Sequence, residues 1–208
     1  MKQNKISEAV IKRLPKYHRY IRELQARGVE RISSSELSAE MGLNASQIRQ
    51  DFNCFGGFGQ QGYGYQVNVL CREIDSILGL THDYNAVIVG LGNIGKALAR
   101  YTGFDQERFH IIGSFDINPE LIGRKYGNTI VADVAELETF LSINSVDIGI
   151  ICTQKENAQE ICNKLGKSGV KAIWNFAPID ISYDAVFVEN VHLSDFLYVL
   201  SYRLTNNE

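Results

Sequence analysis

The sequence lacks the features that mark several classes of protein. No segment of its 208 residues approaches the roughly 18 consecutive apolar residues that a membrane-spanning helix needs. The basic first residues are not followed by the uninterrupted apolar stretch of a secretory signal, so we expect a cytoplasmic protein. The four cysteines, Cys54, Cys71, Cys152 and Cys162, form no CxxC pair and no zinc pattern. This indicates free thiols in a reducing compartment and no metal site.

Charge is distributed unevenly along the chain, although the net charge is only -3. Residues 1–72 hold 11 Lys and Arg against 6 Asp and Glu, whereas residues 73–208 hold 10 against 18. A basic front and an acidic remainder suggest that only the front meets a polyanion such as nucleic acid. The asymmetry matters if the basic segment also carries a DNA-binding pattern.

The basic segment has the pattern of a helix-turn-helix. A first helix is predicted from four residues on one helical face, Tyr17, Tyr20, Ile21 and Leu24. Pro15 fits near the start of this helix and Gly28 just past its end. Ser33 and Glu36 form a capping box that begins a second, short helix, which ends near Gly42. Two short helices joined by a tight turn with glycine are typical of this motif.

A third helix is predicted to begin at Asn44, whose side chain can cap the free amides of the first turn. Ile48 and Phe52 face the core, and the polar residues lie on other faces of the helix. A recognition helix presents such residues to base edges and phosphates, where arginine pairs with guanine and glutamine with adenine. The alternative is a solvated polar face on an ordinary helix.

Residues 56–65 contain five glycines and three aromatic residues. Directly after a recognition helix, this is where a winged helix places its wing. A flexible linker is the alternative, but linkers seldom carry residues such as Phe58, Tyr63 and Tyr65.

From Asn85 onward, apolar runs alternate with amphipathic helices, which predicts a parallel sheet with crossover helices. The runs cover residues 86–89, 111–115, 146–151 and 170–174. The polar stretch at residues 81–84 is the predicted link between the two parts of the chain.

The first of these runs leads into a GxGxxG motif at residues 90–95, and a helix follows. Gly90 permits the turn, Gly92 lets a diphosphate approach the backbone and Gly95 lets helix and strand pack closely. Asp116 closes the next strand, 21 residues after Gly95. A carboxylate there hydrogen-bonds ribose hydroxyls and repels a 2′-phosphate, so the motif favours NAD(H) over NADP(H).

The last helical segment carries an apolar stripe of Leu193, Phe196, Leu197, Leu200 and Leu204. A helix this apolar must be buried against something. Packing against its own domain is one alternative and a partner chain is the other.

Together these features resemble the Rex family of redox-sensing transcriptional repressors. The matching stretches are Arg13-Leu14-Pro15, Tyr17-His18-Arg19-Tyr20, Arg49-Gln50-Asp51-Phe52, Phe55-Gly56, Gly62-Tyr63-Gly64-Tyr65, Asp116-Ile117-Asn118-Pro119, Ile122-Gly123 and Asn175-Phe176-Ala177-Pro178. The resemblance implies an α/β protein with a winged helix-turn-helix DNA-binding domain over residues 1–80. It also implies a Rossmann NAD(H)-binding domain over residues 81–191 and a dimerisation helix over 192–208 that is swapped between partners.

The resemblance and the motifs give two sets of site residues and no catalytic residue. The expected NAD(H) site consists of Gly90, Leu91, Gly92, Asn93, Ile94, Gly95, Tyr101, Asp116, Asn175 and Phe176. Phe176 would pack near the nicotinamide, and Tyr101 either lies near that pocket or closes the helix–sheet core. The expected DNA-binding residues are Arg13, Lys16, Ser46, Gln47, Arg49, Gln50, Gln60, Gln61 and Tyr63.

The chain departs from the family pattern at a few positions. Gln50 stands where the family has a second basic residue, and Gln60 and Gln61 stand where its wing has Lys or Arg. Cys152-Thr153 replaces Val-Pro, and His192 stands where the family has Asp. The glutamines remove basic contacts, so we expect weaker DNA binding or a changed site preference.

The resemblance implies a homodimer that binds a pseudo-palindromic operator and is released when NADH binds. Two alternatives stay open. An NAD-dependent dehydrogenase would need a substrate domain and a positioned acid or base, but little chain remains for such a domain and the four histidines are scattered. A CoA- or other nucleotide-binding module would not explain the basic N-terminal segment.

Overall fold

A computed structural model describes residues 6–56, the backbone of 59–60, and residues 63–206. The chain divides into two compact units, Met1–His82 and Asp83–Glu208. Along the described ranges, no helix combines the length and apolarity needed to cross a membrane.

The N-terminal unit combines helices with a small antiparallel sheet. Its helices are α1 (Glu8–Ala26), α2 (Ser34–Met41), α3 (Ala45–Asn53) and α4 (Val67–Ile77). Its strands are β1 (Arg31–Ile32), β2 (Gly59–Gln60) and β3 (Gly64–Gln66), in the order β1-β3-β2. The β2–β3 hairpin directly follows α3, so the predicted winged helix-turn-helix is confirmed.

The sequence signals for α2 and α3 act as predicted. The Ser33 hydroxyl accepts the Glu36 amide at 3.1 Å, and the Glu36 carboxylate accepts the Ser33 amide at 2.7 Å. Gly42 ends α2 in a left-handed conformation with φ +63°. The Asn44 side chain then accepts the Ser46 amide at 2.8 Å and caps α3.

Helix α1 begins seven residues before Pro15, so the prediction that Pro15 lies near its start is wrong. An internal proline removes one backbone hydrogen bond and strains the helix. Val10 and Leu14, however, extend the buried face that Tyr17 and Ile21 continue. Burial of this longer face outweighs the local cost of the proline.

The core of the unit holds α3 in place through aromatic contacts. The Phe52 ring of α3 meets Tyr17 of α1 and Tyr65 of β3 edge to face, with centroid distances of 5.1 Å and 5.2 Å. Such aromatic pairs each contribute about 0.5–1.5 kcal/mol beyond their buried area. Phe52 therefore joins the recognition helix to both its helical and its strand neighbours.

The C-terminal unit is a seven-stranded sheet flanked by helices. Its strands are β4 (Tyr84–Val89), β5 (Phe109–Asp116), β6 (Lys125–Tyr126), β7 (Thr129–Asp133), β8 (Ile148–Ile151), β9 (Ala172–Asn175) and β10 (Phe187–Asn190). Its helices are α5 (Asn93–Ala99), α6 (Gly103–Gln106), α7 (Leu137–Ile143), α8 (Lys155–Lys167) and α9 (Leu193–Asn206), with a 3-10 turn at Val134–Glu136.

The sheet has the strand order β10-β9-β8-β4-β5-β7-β6, and every neighbouring pair is parallel except β6 with β7. The chain runs from β4 outward through β5 to β7 and then returns to the other side of β4 with β8. This is the doubly wound order of a Rossmann fold, which confirms the predicted fold class. A ligand crevice is expected at the carboxyl ends of β4 and β8, because the connections from these neighbouring strands run in opposite directions.

Candidate functional site

The turn after β4 has the geometry that a dinucleotide fingerprint requires. Gly90 adopts φ +95°, and a Cβ atom there would lie 2.7 Å from the Cys152 carbonyl group. A Cβ atom on Gly95 would overlap the Gly90 carbonyl oxygen. A Cβ atom on Gly92 would have no neighbour within 4 Å. The first and third glycines are therefore required by packing, whereas the second leaves open space for a ligand.

Asp116 is held by the backbone at the carboxyl end of β5. Its Oδ2 accepts the Leu91 amide at 2.5 Å, and its Oδ1 accepts the Asn118 amide at 2.8 Å. Leu91 is itself fully buried, so its part in this arrangement is the amide that Asp116 accepts. A carboxylate oxygen can accept more than one hydrogen bond, which leaves Asp116 able to accept ribose hydroxyls.

Two cavities adjoin this turn and share part of their lining. One, of about 410 Å³, lies beside Asp116 and Val134. The other, of about 670 Å³, lies beside Asn93, Ile94 and Phe176. Residues common to both linings are Gly92, Cys152, Thr153 and Gln154. The two cavities form one crevice (the nucleotide crevice) at the switch point of the sheet, with room for a ligand of two parts.

Phe176 is placed in this crevice by a loop that Asn175 organises. Asn175 is fully buried, and its side-chain amide donates to the Ile179 carbonyl at 2.7 Å and to the Asn190 side chain at 2.8 Å. Its side-chain oxygen Oδ1 accepts the Ala177 backbone amide at 2.9 Å. These bonds occupy the Asn175 side chain within the protein, so its role is to position the loop. Asn190, on β10, was not predicted, because its partner lies 15 residues away.

Tyr101 does not line the nucleotide crevice. Its side chain is 61% exposed and contacts Phe104 edge to face, with a centroid distance of 4.9 Å. It lines a separate apolar cavity instead. Tyr101 was predicted to lie beside the nicotinamide or to close the core, and both roles stay predictions. Helix α5 ends at Ala99, so Tyr101 lies beyond the helix.

The apolar cavity that contains Tyr101 has a volume of about 730 Å³ and is called here the sheet-face groove. Its walls come mainly from β4, β5, β8, β9 and β10, and include Ala86, Ile111, Ile150, Trp174 and Val188. Helix α9 in the same unit has no buried residue, and its large apolar side chains are 53% to 81% exposed. Both surfaces are apolar and uncovered in the single chain. Helix α9 therefore does not pack against its own domain, which was one of the two predicted alternatives.

In the N-terminal unit, a buried carboxylate on α3 engages two of the predicted DNA-binding residues. Asp51 is fully buried and accepts Arg13 Nε at 2.6 Å and Arg13 Nη2 at 2.8 Å. It also accepts the Tyr17 hydroxyl at 2.7 Å and the Gln47 amide at 2.8 Å. Burial raises the pKa of Asp51, but these hydrogen bonds outweigh burial and the net pKa is lowered. Arg13 and Gln47 thus bond inward, which sequence reasoning did not foresee.

The remaining predicted residues lie on the exposed side of the unit. Arg49, Ser46 and Gln50 are exposed on α3, and Arg49 donates to the Ser46 hydroxyl at 3.0 Å and to the Ser34 hydroxyl at 2.9 Å. Lys16 donates to the Met41 carbonyl at 2.9 Å. Arg49, Ser46 and Ser34 form a polar surface around the first turns of α2 and α3, and Lys16 lies at the end of α2.

The wing contributes a second exposed element. Tyr63 is 70% exposed, and its carbonyl accepts Arg31 Nη1 from β1 at 3.2 Å. Neither Ser34 nor Arg31 was among the predicted residues. A signal was available for Ser34, which directly follows the predicted capping residue Ser33, whereas Arg31 lies between the two predicted helices. Gln61 and the side chain of Gln60 lie outside the described residues.

Comparison with protein families assigns each unit separately. Residues 5–53 match the family described as "Putative DNA-binding protein N-terminus", and residues 81–179 match the family described as "CoA binding domain".

Whole-chain relatives and solved structures extend this comparison. The chain is 54% identical over 208 residues to "Redox-sensing transcriptional repressor Rex" of Thermoanaerobacter pseudethanolicus, covering 100% of this chain and 93% of the relative. It is 56% identical over 204 residues to the protein of the same name from Clostridium novyi, covering 98% and 97%. The crystal structure of RSP with beta-NAD+ and operator DNA matches with a TM-score of 0.92 at 54% identity, covering 97% of this chain and 94% of that one.

A further structure, RSP in complex with beta-NADH, matches with a TM-score of 0.90 at 51% identity, covering 98% of this chain and 96% of that one. These relatives are named as repressors, so the prediction of a regulator and not an enzyme is confirmed. The chain belongs to the Rex family of redox-sensing transcriptional repressors.

Proposed function

We propose that this chain is a repressor that binds operator DNA through its N-terminal unit and NAD(H) through its C-terminal unit. DNA affinity is highest with NAD+ or without nucleotide and falls when NADH occupies the crevice. The observation that carries this proposal is that one chain has both a winged helix with an exposed arginine on α3 and a preformed dinucleotide turn. The RSP structures with operator DNA, NAD+ and NADH support the same pairing of ligands.

In the nucleotide crevice, the adenosine half of the ligand lies beside Asp116, whose carboxylate accepts the ribose hydroxyls. The diphosphate lies over Gly92 and meets the free amides at the start of α5. The nicotinamide half lies beside Phe176. The proposed contacts are Gly90, Leu91, Gly92, Asn93, Ile94, Gly95, Asp116 and Phe176, with Asn175 shaping the loop.

On the DNA side, α3 enters the major groove and the wing lies against the backbone. Arg49 reads a base edge or binds a phosphate, and Ser46 and Gln50 flank it. Tyr63, Gln60 and Gln61 contribute from the wing. Arg13 and Gln47 act mainly by holding α3 through Asp51, and Lys16 holds the end of α2 through the Met41 carbonyl. These residues contact phosphate only with the part of each side chain that stays accessible.

The active form is a homodimer built through α9. Burying a large apolar side chain is worth about 1.5–3 kcal/mol, and α9 presents several such side chains beside an uncovered apolar groove. We place α9 of each copy on the sheet-face groove of the other. Two-fold symmetry then presents two α3 helices to a pseudo-palindromic operator.

The functional segments follow from this assignment. Residues 1–80 form the DNA-binding domain, 81–191 the NAD(H)-binding domain and 192–208 the dimerisation segment. A repressor must reach the chromosome, so we place the protein in the cytoplasm.

Coupling between the two sites requires only about 1–3 kcal/mol. The test is fluorescence anisotropy with DNA from the protein's own promoter region, titrated with NADH against a background of NAD+ at fixed salt. Release by NADH and not by NAD+ supports the proposal. Because linkage is reciprocal, operator DNA must also weaken NADH binding by the same factor. Equal NADH affinity with and without operator contradicts the mechanism.

The family description of residues 81–179 favours CoA as the one competing ligand. Thermal unfolding with CoA, NADH or neither discriminates the two, because a bound ligand raises apparent stability by mass action. Stabilisation by NADH and not by CoA supports the redox sensor, and the reverse result favours a CoA-responsive regulator.

A further inference from the structure

The nucleotide crevice contains one polar group whose hydrogen bonding is incomplete. Thr153 Oγ1 is buried and has no hydrogen-bond partner within the described part of the chain. Leaving a buried hydroxyl unpaired destabilises a protein, and native structures contain few such groups. A group of this kind in a ligand crevice indicates a partner that the ligand supplies.

The place of Thr153 identifies which part of a ligand it meets. Thr153 follows β8 and directly precedes Gln154, the first flanking residue of α8. It lines both cavities of the crevice, the one beside Asp116 and the one beside Phe176. A dinucleotide that fills both cavities must pass its linking diphosphate over the residues that the two cavities share.

The surroundings of Thr153 suit a phosphate. A Cβ atom on Gly90 would lie 2.8 Å from the Thr153 amide nitrogen, so this backbone packs against the fingerprint turn. On the other side, burial raises the pKa of the Cys152 thiol to about 12, which keeps the thiol uncharged at neutral pH. Neither of these two neighbours places a negative charge beside the hydroxyl. The wider lining of the two cavities carries both signs, with Asp116, Glu156 and Glu160 against Lys155 and Lys164.

We propose that the Thr153 hydroxyl donates a hydrogen bond to a diphosphate oxygen of the bound dinucleotide. This inference rests on the proposed function, because it concerns the same crevice. Rotation about the single Cα–Cβ bond exchanges the positions of hydroxyl and methyl group among staggered conformers, so the hydroxyl reaches the ligand without movement of the backbone. Thr153 is therefore a binding residue that recognises the part common to NAD+ and NADH.

Thr153→Val removes the hydroxyl and keeps the shape, and Thr153→Ser keeps the hydroxyl. Thr139→Val makes the same change at an exposed site on α7, outside the crevice lining. Calorimetric titration of each protein with adenosine, ADP, NAD+ and NADH measures the contribution of the diphosphate. Hydrogen bonds to charged groups are stronger than neutral ones, so Thr153→Val should weaken the binding of ADP, NAD+ and NADH by about 10- to 150-fold. Adenosine affinity should not change.

Thermal unfolding gives an independent signature. Thr153→Val removes an unpaired buried hydroxyl, so it should raise the Tm of the ligand-free protein by about 2–4 °C while lowering the additional stabilisation by NADH. Thr153→Ser and Thr139→Val should bind all four ligands as the wild type does.

The outcomes separate the two proposals. Unchanged ADP and NADH affinity in Thr153→Val, with normal binding by the wild type, overturns the role of Thr153 alone. Equal weakening of adenosine and ADP assigns the effect to the shape of the crevice and also overturns it. Failure of the wild type to bind NAD+ or NADH contradicts the proposed function, and this inference fails with it.

Discussion

Tyr17 and Asp51 meet inside the N-terminal unit, where the phenol hydroxyl donates to the carboxylate over 2.7 Å and both side chains are fully buried. Arg13 and Gln47 complete the set of donors around the carboxylate. Tyr17 lies on α1 and Asp51 on α3, so the ionised Asp51 carboxylate joins the two helices. The orientation of the recognition helix depends on that charge.

Asp51→Asn should therefore destabilise the N-terminal unit strongly. Removing one member of a buried ion pair costs about 3–5 kcal/mol, and the partial exposure of Arg13 places the expected loss at the lower end. Urea unfolding followed by circular dichroism measures it. Glu8→Gln, which breaks the exposed pair with Lys12, serves as the control and should leave the midpoint unchanged. A midpoint shift as small as that of the control would contradict a central role for Asp51.

The Asp51 carboxylate should also make the free energy of unfolding depend on pH. The pKa of Asp51 is lowered in the folded protein, so its contribution is complete above the ordinary aspartate pKa of about 3.9 and is lost as the pH falls through the lowered value. The difference in unfolding free energy between wild type and Asp51→Asn should be constant from pH 5 to pH 7 and shrink below about pH 4. A difference that ignores pH would exclude this linkage.

Alanine substitution at two glycines of the fingerprint should affect different properties, stability at Gly95 and NADH binding at Gly92. Gly95→Ala places a methyl group on the Gly90 carbonyl oxygen and should cost at least about 1–3 kcal/mol of stability, as overpacking does. Gly92→Ala meets open space and should fold normally, yet weaken NADH because the methyl group stands where the diphosphate approaches. Thermal unfolding and NADH titration of both variants check this. Normal NADH affinity in Gly92→Ala would contradict the proposed path of the diphosphate.

Arg49→Ala should weaken operator binding by about 1–3 kcal/mol and leave NADH affinity unchanged. Arg49 is exposed on α3 and held by Ser34 and Ser46, so the substitution removes a positioned cation without disturbing the core. Anisotropy at several salt concentrations also separates two roles. A smaller salt slope indicates a phosphate contact, and lost base preference indicates a base contact. Arg124→Ala removes the same charge from the other unit and should have no such effect.

Leu197→Asp or Leu200→Asp should convert the dimer to monomer. Both residues lie on the apolar stripe of α9 and are more than half exposed in the single chain, so the substitution affects association and not the core. Asn206→Asp adds a charge on the opposite side of the helix and is the matched control. Sedimentation velocity measures the oligomeric state. A dimer that survives both leucine substitutions would contradict the role given to α9.

His192 should titrate above the ordinary histidine range. Its Nε2 lies 2.7 Å from Asp180 Oδ1, and this hydrogen bond raises its pKa, with smaller contributions from Asp180 and Asp195 as nearby charges. The stabilisation from the pair is complete below the ordinary pKa and is lost as pH rises through the raised value. NMR titration should show the raised pKa in the wild type and a lower one in Asp180→Asn. Asp184→Asn, at an exposed neighbouring position, should leave it unchanged.

Local signals predicted the N-terminal helices well where capping decided the outcome. The caps at Ser33 and Asn44 bond backbone amides within three residues, and Gly42 ends α2 by its own conformation. Each interaction is therefore contained in a short stretch of sequence. Pro15 was misplaced because the start of α1 depends on burial of Val10 and Leu14 against other elements. Helix α4 was missed although the sequence carries its signal, since its buried residues Val67, Leu70, Cys71 and Ile74 have helical spacing.

In the C-terminal unit, the predicted runs correspond to the central strands β4, β5, β8 and β9. The edge strand β10 was missed because only alternate residues are partly buried, which leaves no continuous apolar run. In the nucleotide crevice too, residues that belong to a local motif were predicted and contacts between distant residues were not. Gly90, Gly95 and Asp116 belong to a motif whose spacing is visible in the sequence, whereas the contact of Asn175 with Asn190 joins residues that no motif connects.

The position of Asp116, fixed by two backbone amides, bears on how the protein distinguishes NAD+ from NADH. NAD+ and NADH are chemically identical over adenine, both riboses and the diphosphate, and differ only in one ring. In the proposed binding mode, Asp116 and the fingerprint turn meet only the part that NAD+ and NADH share, so they contribute affinity but no information about redox state. All of that information then enters through the few atoms beside Phe176, where a change in the charge and planarity of one ring is converted into a signal.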